Sequence, residues 1–326
     1  MPLALLCRLA QGVLWFGAIW LLAWNVLRWW PGERCWAVAA VNYFTPWVAL
    51  GLLPIIVLTW LLQQRVLSLT YVAALFLLSV HFVPLFLFKT SAPLAGEPLK
   101  VMTFNVFQGN KNATTIIDLI LEENADIVAL QELRPSTAEH LLEALEERYP
   151  YHTLSSGKRV KGQALLSRYP LSDVSPGPDY RFQSAVIHTP AGPVTLLNIH
   201  TPSFYPVGWR QDWEKQRDFV QMVTAQVSGI ESPLLVVGDF NTTPQAESYA
   251  LIRQHLRDAF LDSGFGFGFS YPASPKLGIR LPTPLVRIDY IFHNGGLASH
   301  ETRVLKTGGG SDHRPVVSVL SLSRER

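Results

Sequence analysis

The chain has 326 residues and a formal net charge of +2, with 48% hydrophobic and 16% charged residues. Residues 1–88 contain four arginines, one glutamate and no lysine, whereas residues 89–326 contain 23 basic and 24 acidic residues. This division excludes an ordinary soluble protein and an intrinsically disordered one, and the balanced charge of the polar part argues against a strongly basic nucleic-acid-binding protein.

The first third of the chain contains three uncharged stretches, at residues 9–27, 36–62 and 66–88. Each is long enough for a membrane-spanning helix, which needs about 20 largely apolar residues. Eight of the ten tryptophans lie within residues 1–60, several of them near the ends of these stretches, which is typical of a membrane interface. We therefore predict a membrane domain over residues 1–89 with three transmembrane helices, in preference to a cleaved signal peptide or buried soluble helices.

Three spans place the two ends of the chain on opposite sides of the membrane. An N-terminus inside the cell would put Arg8 and Arg65 inside, and it would put Arg28, Arg34 and Lys89 outside. Segments on the inner side of a membrane normally carry the excess of positive residues. Here more of the positive residues would lie outside, so the charge pattern gives this orientation no support. The charge pattern leaves the orientation of the polar part of the chain open.

Residues 90–98 form a short linker of small and helix-breaking residues, and residues 99–326 then alternate between strands and helices. The predicted strands are Leu99–Asn105, Asp126–Gln131, Gln163–Ser167, Phe182–Thr189, Val194–Ile199, Leu234–Val237, Arg287–Phe292 and Val316–Leu320. The predicted helices are Thr114–Glu123, Ser136–Arg148, Trp209–Val227 and Gln245–Leu256. Ser136 and Glu139 have the spacing of a capping box. This alternation predicts one α/β domain.

Polar side chains follow the first two strands of this domain. Asn105 ends the first strand and Glu132 follows the second, with one helix between them. A strand–helix–strand crossover makes the two strands parallel, so both carboxyl ends open on the same edge of the sheet. Two oxygen ligands at that edge suit Mg²⁺ or Mn²⁺, although Glu132 taken alone is better explained as a solvated helix cap.

More polar residues stand at the ends of later strands. His200 ends one strand, and Asp239 and Asn241 follow a fully apolar one. Asp289 interrupts another apolar strand, which is costly unless the carboxylate is paired. His313 is the natural partner, because a carboxylate that orients an imidazole is a common catalytic pair. Each feature also has a structural explanation, as a turn, a cap or a buried contact.

The order of these motifs resembles the endonuclease/exonuclease/phosphatase superfamily, which has the fold of DNase I. The matching pieces are Thr103–Asn105, Gln131–Glu132, Asn198–His200, Gly238–Asn241, Arg287–Tyr290 and Ser311–Pro315. The resemblance implies an α/β, DNase I-like four-layer sandwich, two packed β-sheets flanked by helices, after the three transmembrane helices. It also implies a phosphoester hydrolase that uses Mg²⁺ or Mn²⁺ as its cofactor.

The resemblance also implies a role for each residue of the candidate site. The metal ligands would be Glu132, Asn105 and Asp312. Asp239 would orient or deprotonate the attacking water, Asn241 and His200 would contact the phosphate, and His313, oriented by Asp289, would stabilise the transition state. General acid–base and electrostatic catalysis of phosphoryl transfer requires groups of these types.

The loop Tyr271–Arg287 carries three cations, Lys276, Arg280 and Arg287, among four prolines. A semi-rigid basic loop near the site fits the binding of a phosphate, and we assign Arg287 to phosphate binding. A solvated surface loop explains Lys276 and Arg280 equally well.

The three N-terminal spans narrow the choice of substrate. A catalytic domain behind three spans resembles the bacterial membrane-anchored branch that contains the VanJ-type teicoplanin-resistance proteins. This resemblance implies a multi-pass protein of the bacterial inner membrane, with an extracytoplasmic catalytic domain that hydrolyses a lipid-linked phosphate or pyrophosphate. The expected partners are the lipid bilayer and a phosphorylated lipid or small phosphoester, and no protein partner is inferred.

A membrane-tethered endonuclease or exonuclease is the alternative function. A nuclease is expected to present a basic strip to the phosphate backbone of nucleic acid. The formal charge of −1 over residues 89–326 argues against such a strip. Nucleic acid is therefore the less favoured substrate.

Overall fold

The computed structural model describes residues 3–30, 32–87, 89, 96–155, 162–177, 181–203, 209–273 and 284–323. Residues 90–95 of the predicted linker lie outside this set. The chain divides into two compact units, Met1–Pro84 with Gln245–Glu247 and Leu85–Pro244 with Ser248–Arg326.

The first unit contains three long apolar helices, α1 (Leu3–Leu27), α2 (Trp36–Leu61) and α3 (Arg65–Ser79), and a 3₁₀ helix at Val80–Leu85 continues α3. Segments Leu5–Leu27, Trp36–Leu61 and Arg65–Leu85 have mean hydropathies of 1.7, 1.9 and 2.1 and are long enough to cross a membrane. Large apolar side chains such as Phe16 are exposed on their outer faces, whereas Trp24 is buried between the helices. The sequence prediction of three apolar helices agrees with this unit to within a few residues.

The second unit is built on two six-stranded sheets. The strand order is β11–β12–β1–β2–β4–β3 in the first sheet and β5–β6–β7–β8–β10–β9 in the second. The strands are β1 (Leu99–Asn105), β2 (Ile127–Gln131), β3 (Tyr151–Ser155), β4 (Gln163–Ser167), β5 (Leu171–Pro176), β6 (Phe182–Thr189), β7 (Gly192–His200), β8 (Leu234–Asp239), β9 (Arg257–Asp258), β10 (Asp289–His293), β11 (Leu297–Val304) and β12 (Val316–Leu322). The helices are α4 (Ala113–Glu123), α5 (Pro135–Leu145), α6 (Trp209–Val227), α7 (Glu247–Ile252) and α8 (Ala259–Ser263).

Two of the strand pairs are parallel, and each is joined by a crossover that contains a helix. Strands β1 and β2 are parallel, with α4 between them in the chain, and Asn105 lies opposite Gln131. Strands β7 and β8 are parallel, with α6 between them, and His200 lies opposite Asp239. Asn105, His200 and Asp239 therefore lie at the carboxyl ends of parallel strands. The sequence predicts this position for the first of the two pairs.

The apolar side chains of these strands alternate between two faces. Val101 and Leu196 contribute to the core between the sheets, whereas Met102 packs with the cluster that includes α4 and α5 residues. Leu197 packs with α6 and α7 residues on the outer face of the second sheet. The resulting order of layers is helix, sheet, sheet and helix, and the predicted four-layer α/β fold is confirmed.

Several local predictions are wrong. The capping box at Ser136 and Glu139 is absent, because α5 begins at Pro135, whose missing N–H and fixed φ suit the first helical position. The helix predicted at Gln245–Leu256 is the shorter α7. Strands β3, β5, β9 and β11 are not among the predicted strands, and α8 is not among the predicted helices. Strands β3 and β5 stand at sheet edges with exposed, polar sequences, which lack the alternation of a half-buried strand.

Candidate active site

The carboxyl ends of the two parallel strand pairs meet in one site. The Nδ2 group of Asn105, from the first sheet, lies 3.0 Å from Oδ2 of Asp239 in the second sheet and 3.3 Å from Oε1 of Glu132. The Nε2 atom of His200 lies 3.6 Å from Oε1 of Glu132 and 3.7 Å from Oδ2 of Asp239. The four residues therefore form a single polar cluster that joins the two sheets.

A buried amide contact holds the sheets together directly beneath this cluster. Nε2 of Gln131 donates to Oδ1 of Asn198 at 2.8 Å, and Nδ2 of Asn198 donates to the carbonyls of Leu130 and Ala164 at 3.0 and 3.2 Å. Both amide side chains are fully buried. Gln131 precedes Glu132, and Asn198 lies two residues before His200, so this contact fixes the distance between the two halves of the site. Both residues belong to motifs that resemble the family, Gln131–Glu132 and Asn198–His200, but the sequence pattern alone indicates no role for either of them.

Asp239 is placed by the residues on either side of it. Gly238 has φ +142°, and a Cβ atom there would lie 1.8 Å from the carbonyl oxygen of Ile199, so only glycine allows β8 to approach β7 this closely. The backbone N–H of Asn241 donates to Oδ1 of Asp239 at 2.8 Å. Nδ2 of Asn241 donates to the carbonyl of Thr201 at 3.1 Å, which holds the amide next to the carboxylate.

Two residues of the site have the left-handed backbone conformation, Glu132 with φ +56° and Asn241 with φ +46°. This conformation is uncommon for residues other than glycine. Such strained positions are concentrated at functional sites, where the surrounding structure enforces them. Glu132 is further fixed because its Oε2 accepts the backbone N–H of Gln108 at 3.2 Å.

The predicted pairing of Asp289 with His313 is present in the structure. Nδ1 of His313 lies 2.9 Å from Oδ2 and 3.1 Å from Oδ1 of Asp289. The other ring nitrogen, Nε2, lies 3.8 Å from Oδ2 of Asp239 and 4.0 Å from Oδ1 of Asp312. Asp289 is the first residue of β10 rather than an interruption within a strand, and it lies opposite Asp239 in the sheet register.

Burial and neighbouring charges shift the pKa values of the central pair. Burial raises the pKa of the Asp239 carboxyl to about 7 and outweighs the opposing effect of His313. Burial by itself lowers the pKa of His313, but the carboxylates of Asp289 and Asp239 outweigh it and raise that pKa to about 10. The site therefore keeps a cationic imidazole beside a carboxyl group that exchanges protons near neutral pH.

The donor set of the site fits a divalent cation. Asp239, Asp289 and His313 place ligand atoms within 4.8 Å of one another, and Glu132 and Asp312 add two more carboxylates nearby. Four carboxylates close to two imidazoles leave an excess of negative charge in a largely buried space, which a divalent cation would offset. Carboxylate and amide oxygens are also the ligands that Mg²⁺ and Mn²⁺ prefer.

The structure does not bring Arg287 into this cluster. Its side chain is buried, its Nη1 lies 2.8 Å from Oδ2 of Asp258, and its guanidinium lies 5.0 Å from the ring centroid of Phe260 and 4.8 Å from that of Tyr290. This placement gives Arg287 an internal partner, and its contact with phosphate stays a prediction. Lys276 and Arg280 lie outside the described residues.

The two-sheet sandwich and its cluster of acids and histidines define a hydrolase class that typically acts on phosphoesters. Residues 102–313 match the Endonuclease/Exonuclease/phosphatase family, and the chain belongs to this family. No curated protein matches the chain.

Solved structures share the fold at low sequence identity. An AP endonuclease from Archaeoglobus fulgidus is 18% identical with a TM-score of 0.59, over 69% of this chain and 100% of its own. A 3′ phosphatase, NExo, from Neisseria, solved with a product DNA hairpin, is 18% identical with a TM-score of 0.56 over the same shares. An endonuclease/exonuclease/phosphatase from Beutenbergia cavernae is 20% identical with a TM-score of 0.53, over 70% of this chain and 72% of its own. At these identities the likeness shows the fold alone.

The amide contact between the sheets leads to a first prediction. Gln131→Leu and Asn198→Leu should each lower the free energy of unfolding by about 1–3 kcal/mol, because each leaves a buried polar group without its partner. Each should also lower turnover by about 10-fold or more, because small displacements of catalytic groups are costly. The measurements are denaturant unfolding and steady-state kinetics.

Tyr149→Phe is the matched control for this pair. It removes a buried hydrogen bond of 2.8 Å to the carbonyl of Ala125, before the start of β2 and away from the strand ends that carry the site. It should lower stability by a similar amount without changing turnover. Equal kinetic losses in Tyr149→Phe and Gln131→Leu would show that the amide contact has no particular effect on the site.

Proposed function

We propose that the protein is a membrane-anchored, divalent-metal-dependent phosphoester hydrolase, a phosphatase or phosphodiesterase that acts on a lipid-linked phosphate or pyrophosphate. The observation that carries the proposal is the Asp239–His313–Asp289 arrangement beside Asn105 and Glu132, in a chain that begins with three helices of membrane-spanning length. The structure supplies acid–base groups, and the helices supply a means of holding them at a membrane.

In the proposed reaction a water oxygen bonds to phosphorus as the bond from phosphorus to the leaving oxygen breaks. Asp239, whose carboxyl pKa is near neutral, takes the proton of the water. The cationic ring of His313, held by Asp289, stabilises the negative charge of the transferring group and faces the same carboxylate. His200 and Asn241 lie close enough to Asp239 to donate to phosphate oxygens.

Glu132, Asn105 and Asp312 would hold Mg²⁺ or Mn²⁺, and the ion would supply Lewis acidity and charge neutralisation. In the structure Asn105 joins Glu132 and Asp239, which keeps the proposed metal ligands next to the proposed base. Asp312 lies next to His313 in the chain, with Oδ1 4.0 Å from Nε2 of that ring. The side chain of Glu132 retains 18% exposure, so this part of the cluster is open to a solvent-borne ion.

Two features of the chain favour a lipid substrate over DNA. Residues 89–326 have a formal charge of −1, which gives no general attraction to a polyanion. The three apolar helices would hold the catalytic domain at a bilayer, where a lipid-linked substrate is concentrated. We further propose the bacterial inner membrane as the location and its outer face as the side of the catalytic domain, from the resemblance to the VanJ-type branch. The DNA-related names of two structural relatives belong to those proteins and reflect a family with varied substrates.

The proposal predicts that the full-length protein prefers substrate in its own membrane. The protein is reconstituted into phosphatidylcholine vesicles, and a polyprenyl pyrophosphate is placed either in the same vesicles or in separate ones. Phosphate release should be about 100-fold faster in the same vesicles, because the anchor turns the encounter into an intramembrane event. A short-chain soluble analogue should be hydrolysed equally well in both preparations.

The same preparations test the nuclease alternative. A tethered nuclease would cleave DNA added to the outside of the vesicles at a rate that falls steeply with salt, and it would leave the lipid intact. Equal rates on lipid in the same and in separate vesicles would reject the anchoring role of the helices. DNA as the sole substrate cleaved would reject the lipid proposal.

A further inference from the structure

The second unit contains a loop of alternating glycine and phenylalanine, Gly264–Phe269, which the proposed reaction does not use. Phe265 is 58% exposed, and Phe267 and Phe269 are partly exposed. Their rings form an ordered group, since Phe267 and Phe269 stack with centroids 5.0 Å apart and planes 9° from parallel. We call Gly264–Phe269 the phenylalanine loop.

The glycines of the phenylalanine loop determine how it presents its rings. Gly268 has φ +64°, and a Cβ atom there would lie 2.6 Å from the ring of Phe260. A larger residue would therefore be strained and would clash with α8. The glycine-rich backbone bends at Gly266 and leaves Phe265 exposed, whereas Phe267 and Phe269 remain partly exposed.

The phenylalanine loop contacts the residues at which the third apolar segment ends. The backbone N–H of Gly266 donates to the carbonyl of Leu85 at 2.8 Å. The ring of Phe86 packs edge-on against Phe265 and Phe267, with centroid distances of 5.8 and 5.1 Å. Leu85 is the last residue of the segment Arg65–Leu85, which is long and apolar enough to cross a membrane. The loop is thus fixed to the point at which the chain would leave a bilayer.

On its other side the phenylalanine loop continues into the active site. Ser270 is buried, and its Oγ accepts the backbone N–H groups of Ile288 and Asp289, each at 3.3 Å. The ring of Tyr271 lies 4.8 Å from the ring of His313, measured between centroids. Only Ser270 therefore lies between Phe269, the last residue of the phenylalanine loop, and Tyr271, whose ring contacts His313.

We propose that the phenylalanine loop, together with Phe86 and Leu87, is a lipid-binding surface that sits in the headgroup region of the bilayer and places the active site at the membrane surface. Aromatic and aliphatic side chains bind at this depth by burying apolar area among the lipids. Leu87, which is 57% exposed, and Phe86, which is 44% exposed, extend the same apolar surface. The inference rests on the membrane anchoring of the proposed function, and it adds the surface that holds the active site next to a lipid-linked head group.

The position of the loop in the chain identifies the lipid bilayer as the binding partner of this apolar surface. The loop is bonded to Leu85, so its distance from the end of the third span is fixed by one hydrogen bond and by the covalent chain. A residue within a few ångströms of the end of a span lies in the interfacial region, where aromatic side chains are enriched. Lys89 also belongs to this region, and its Nζ donates to the carbonyls of Phe260 and Gly264 at 3.2 and 3.1 Å.

The test is a measurement of depth on the full-length protein. Cys7 and Cys35 are replaced by serine, Phe265→Cys is introduced, and the new thiol is labelled with an environment-sensitive fluorophore. The protein is reconstituted into vesicles of phosphatidylcholine and phosphatidylglycerol. The label should be quenched by nitroxide-bearing lipids and protected from aqueous iodide, with at least about a threefold difference from a solvent-exposed site.

Val174→Cys provides the matched control. Val174 is 45% exposed and lies on β5, at the opposite edge of the second sheet from β9, which precedes α8 and the phenylalanine loop. A label there should be quenched by iodide and not by nitroxide lipids. Equal iodide quenching at positions 265 and 174 would overturn the inference. Shielding of position 265 from both quenchers would also overturn it, because a protein partner such as a second copy would then cover the loop.

Two further readouts separate this inference from the proposed function. Failure of the full-length protein to float with vesicles would reject the membrane anchoring of the proposed function, and this inference with it. If the protein floats, Phe265→Ser combined with Phe267→Ser should lower the rate on bilayer polyprenyl pyrophosphate by about 10-fold and leave the rate on a soluble analogue unchanged. An equal loss of rate on both substrates would show that the two rings stabilise the fold and do not bind lipid.

Discussion

Replacement of Asp239 by Asn, or of His313 by Ala, should lower turnover by about 10²- to 10⁴-fold, the range expected for loss of a positioned acid–base group. The two side chains face each other at 3.8 Å, and His313 is oriented by Asp289 at 2.9 Å, so they form one functional unit. The double mutant Asp239→Asn with His313→Ala should therefore be little worse than the poorer single mutant. Single-turnover kinetics on a soluble phosphoester would measure each loss.

The exposed residues Asp118 and His140 supply matched controls, and Asp118→Asn and His140→Ala should keep full activity. Multiplicative losses in the double mutant would contradict a shared role for Asp239 and His313.

A measurement of unfolding distinguishes a catalytic role of Asp239 from a role in stabilising the fold. Because burial raises the pKa of Asp239 above its unfolded value, the stability due to this residue falls as pH rises from about 4 to about 7. In metal-free buffer at pH 7, Asp239→Asn should therefore keep or raise the unfolding midpoint.

Replacement of Glu132 by Gln should weaken the affinity for Mg²⁺ by about 100-fold or more, because the loss of even an outer-shell partner of a metal ligand costs 10- to 100-fold. The substitution removes a negative charge from the cluster that Asn105 and His200 complete. Isothermal titration of the protein with Mg²⁺ measures the affinity, and turnover measured across a range of Mg²⁺ concentrations should shift by the same factor.

Glu139→Gln is the control for this substitution, since Glu139 is exposed on α5 in the same part of the chain. Its metal affinity and activity should equal those of the unaltered protein. Unchanged Mg²⁺ affinity in Glu132→Gln would remove Glu132 from the metal site. Full activity in excess chelator would reject the metal requirement altogether.

The parts of the site that depend on neighbouring strands could be predicted from the sequence. Asn105 and Glu132 are joined by a single crossover whose handedness and direction follow general rules, so their meeting at one edge needed no structure. The pairing of Asp289 with His313 could be expected because a carboxylate directly before the buried apolar residues of β10 needs a partner.

Contacts between the two sheets could not be derived in this way. Periodicity predicts which strands are buried but not how two sheets face each other, so neither the Asn105–Asp239 bond nor the Gln131–Asn198 amide contact follows from the pattern. Arg287 shows the same limit. It lies in a motif beside the site, yet in the structure Asp258 from a distant part of the chain pairs with it.

The phenylalanine loop illustrates a different limit. Its composition indicates a loop, and the alternation of glycine with phenylalanine by itself predicts neither exposure nor burial. Its position depends on the backbone bond between Gly266 and Leu85, which are about 180 residues apart in the chain. A contact of this separation becomes visible only when the whole fold is known.

The proposed function is the hydrolysis of a lipid-linked phosphoester with the help of a divalent metal. The most direct measurement is phosphate release by the full-length protein in vesicles that contain polyprenyl pyrophosphate, with single- and double-stranded DNA added in parallel, in Mg²⁺ and in excess chelator. The proposal predicts release from the lipid in Mg²⁺, none in chelator, release lowered at least about 100-fold with Asp239→Asn, and intact DNA throughout. DNA cleavage without lipid hydrolysis, or lipid hydrolysis that persists in chelator, would contradict it.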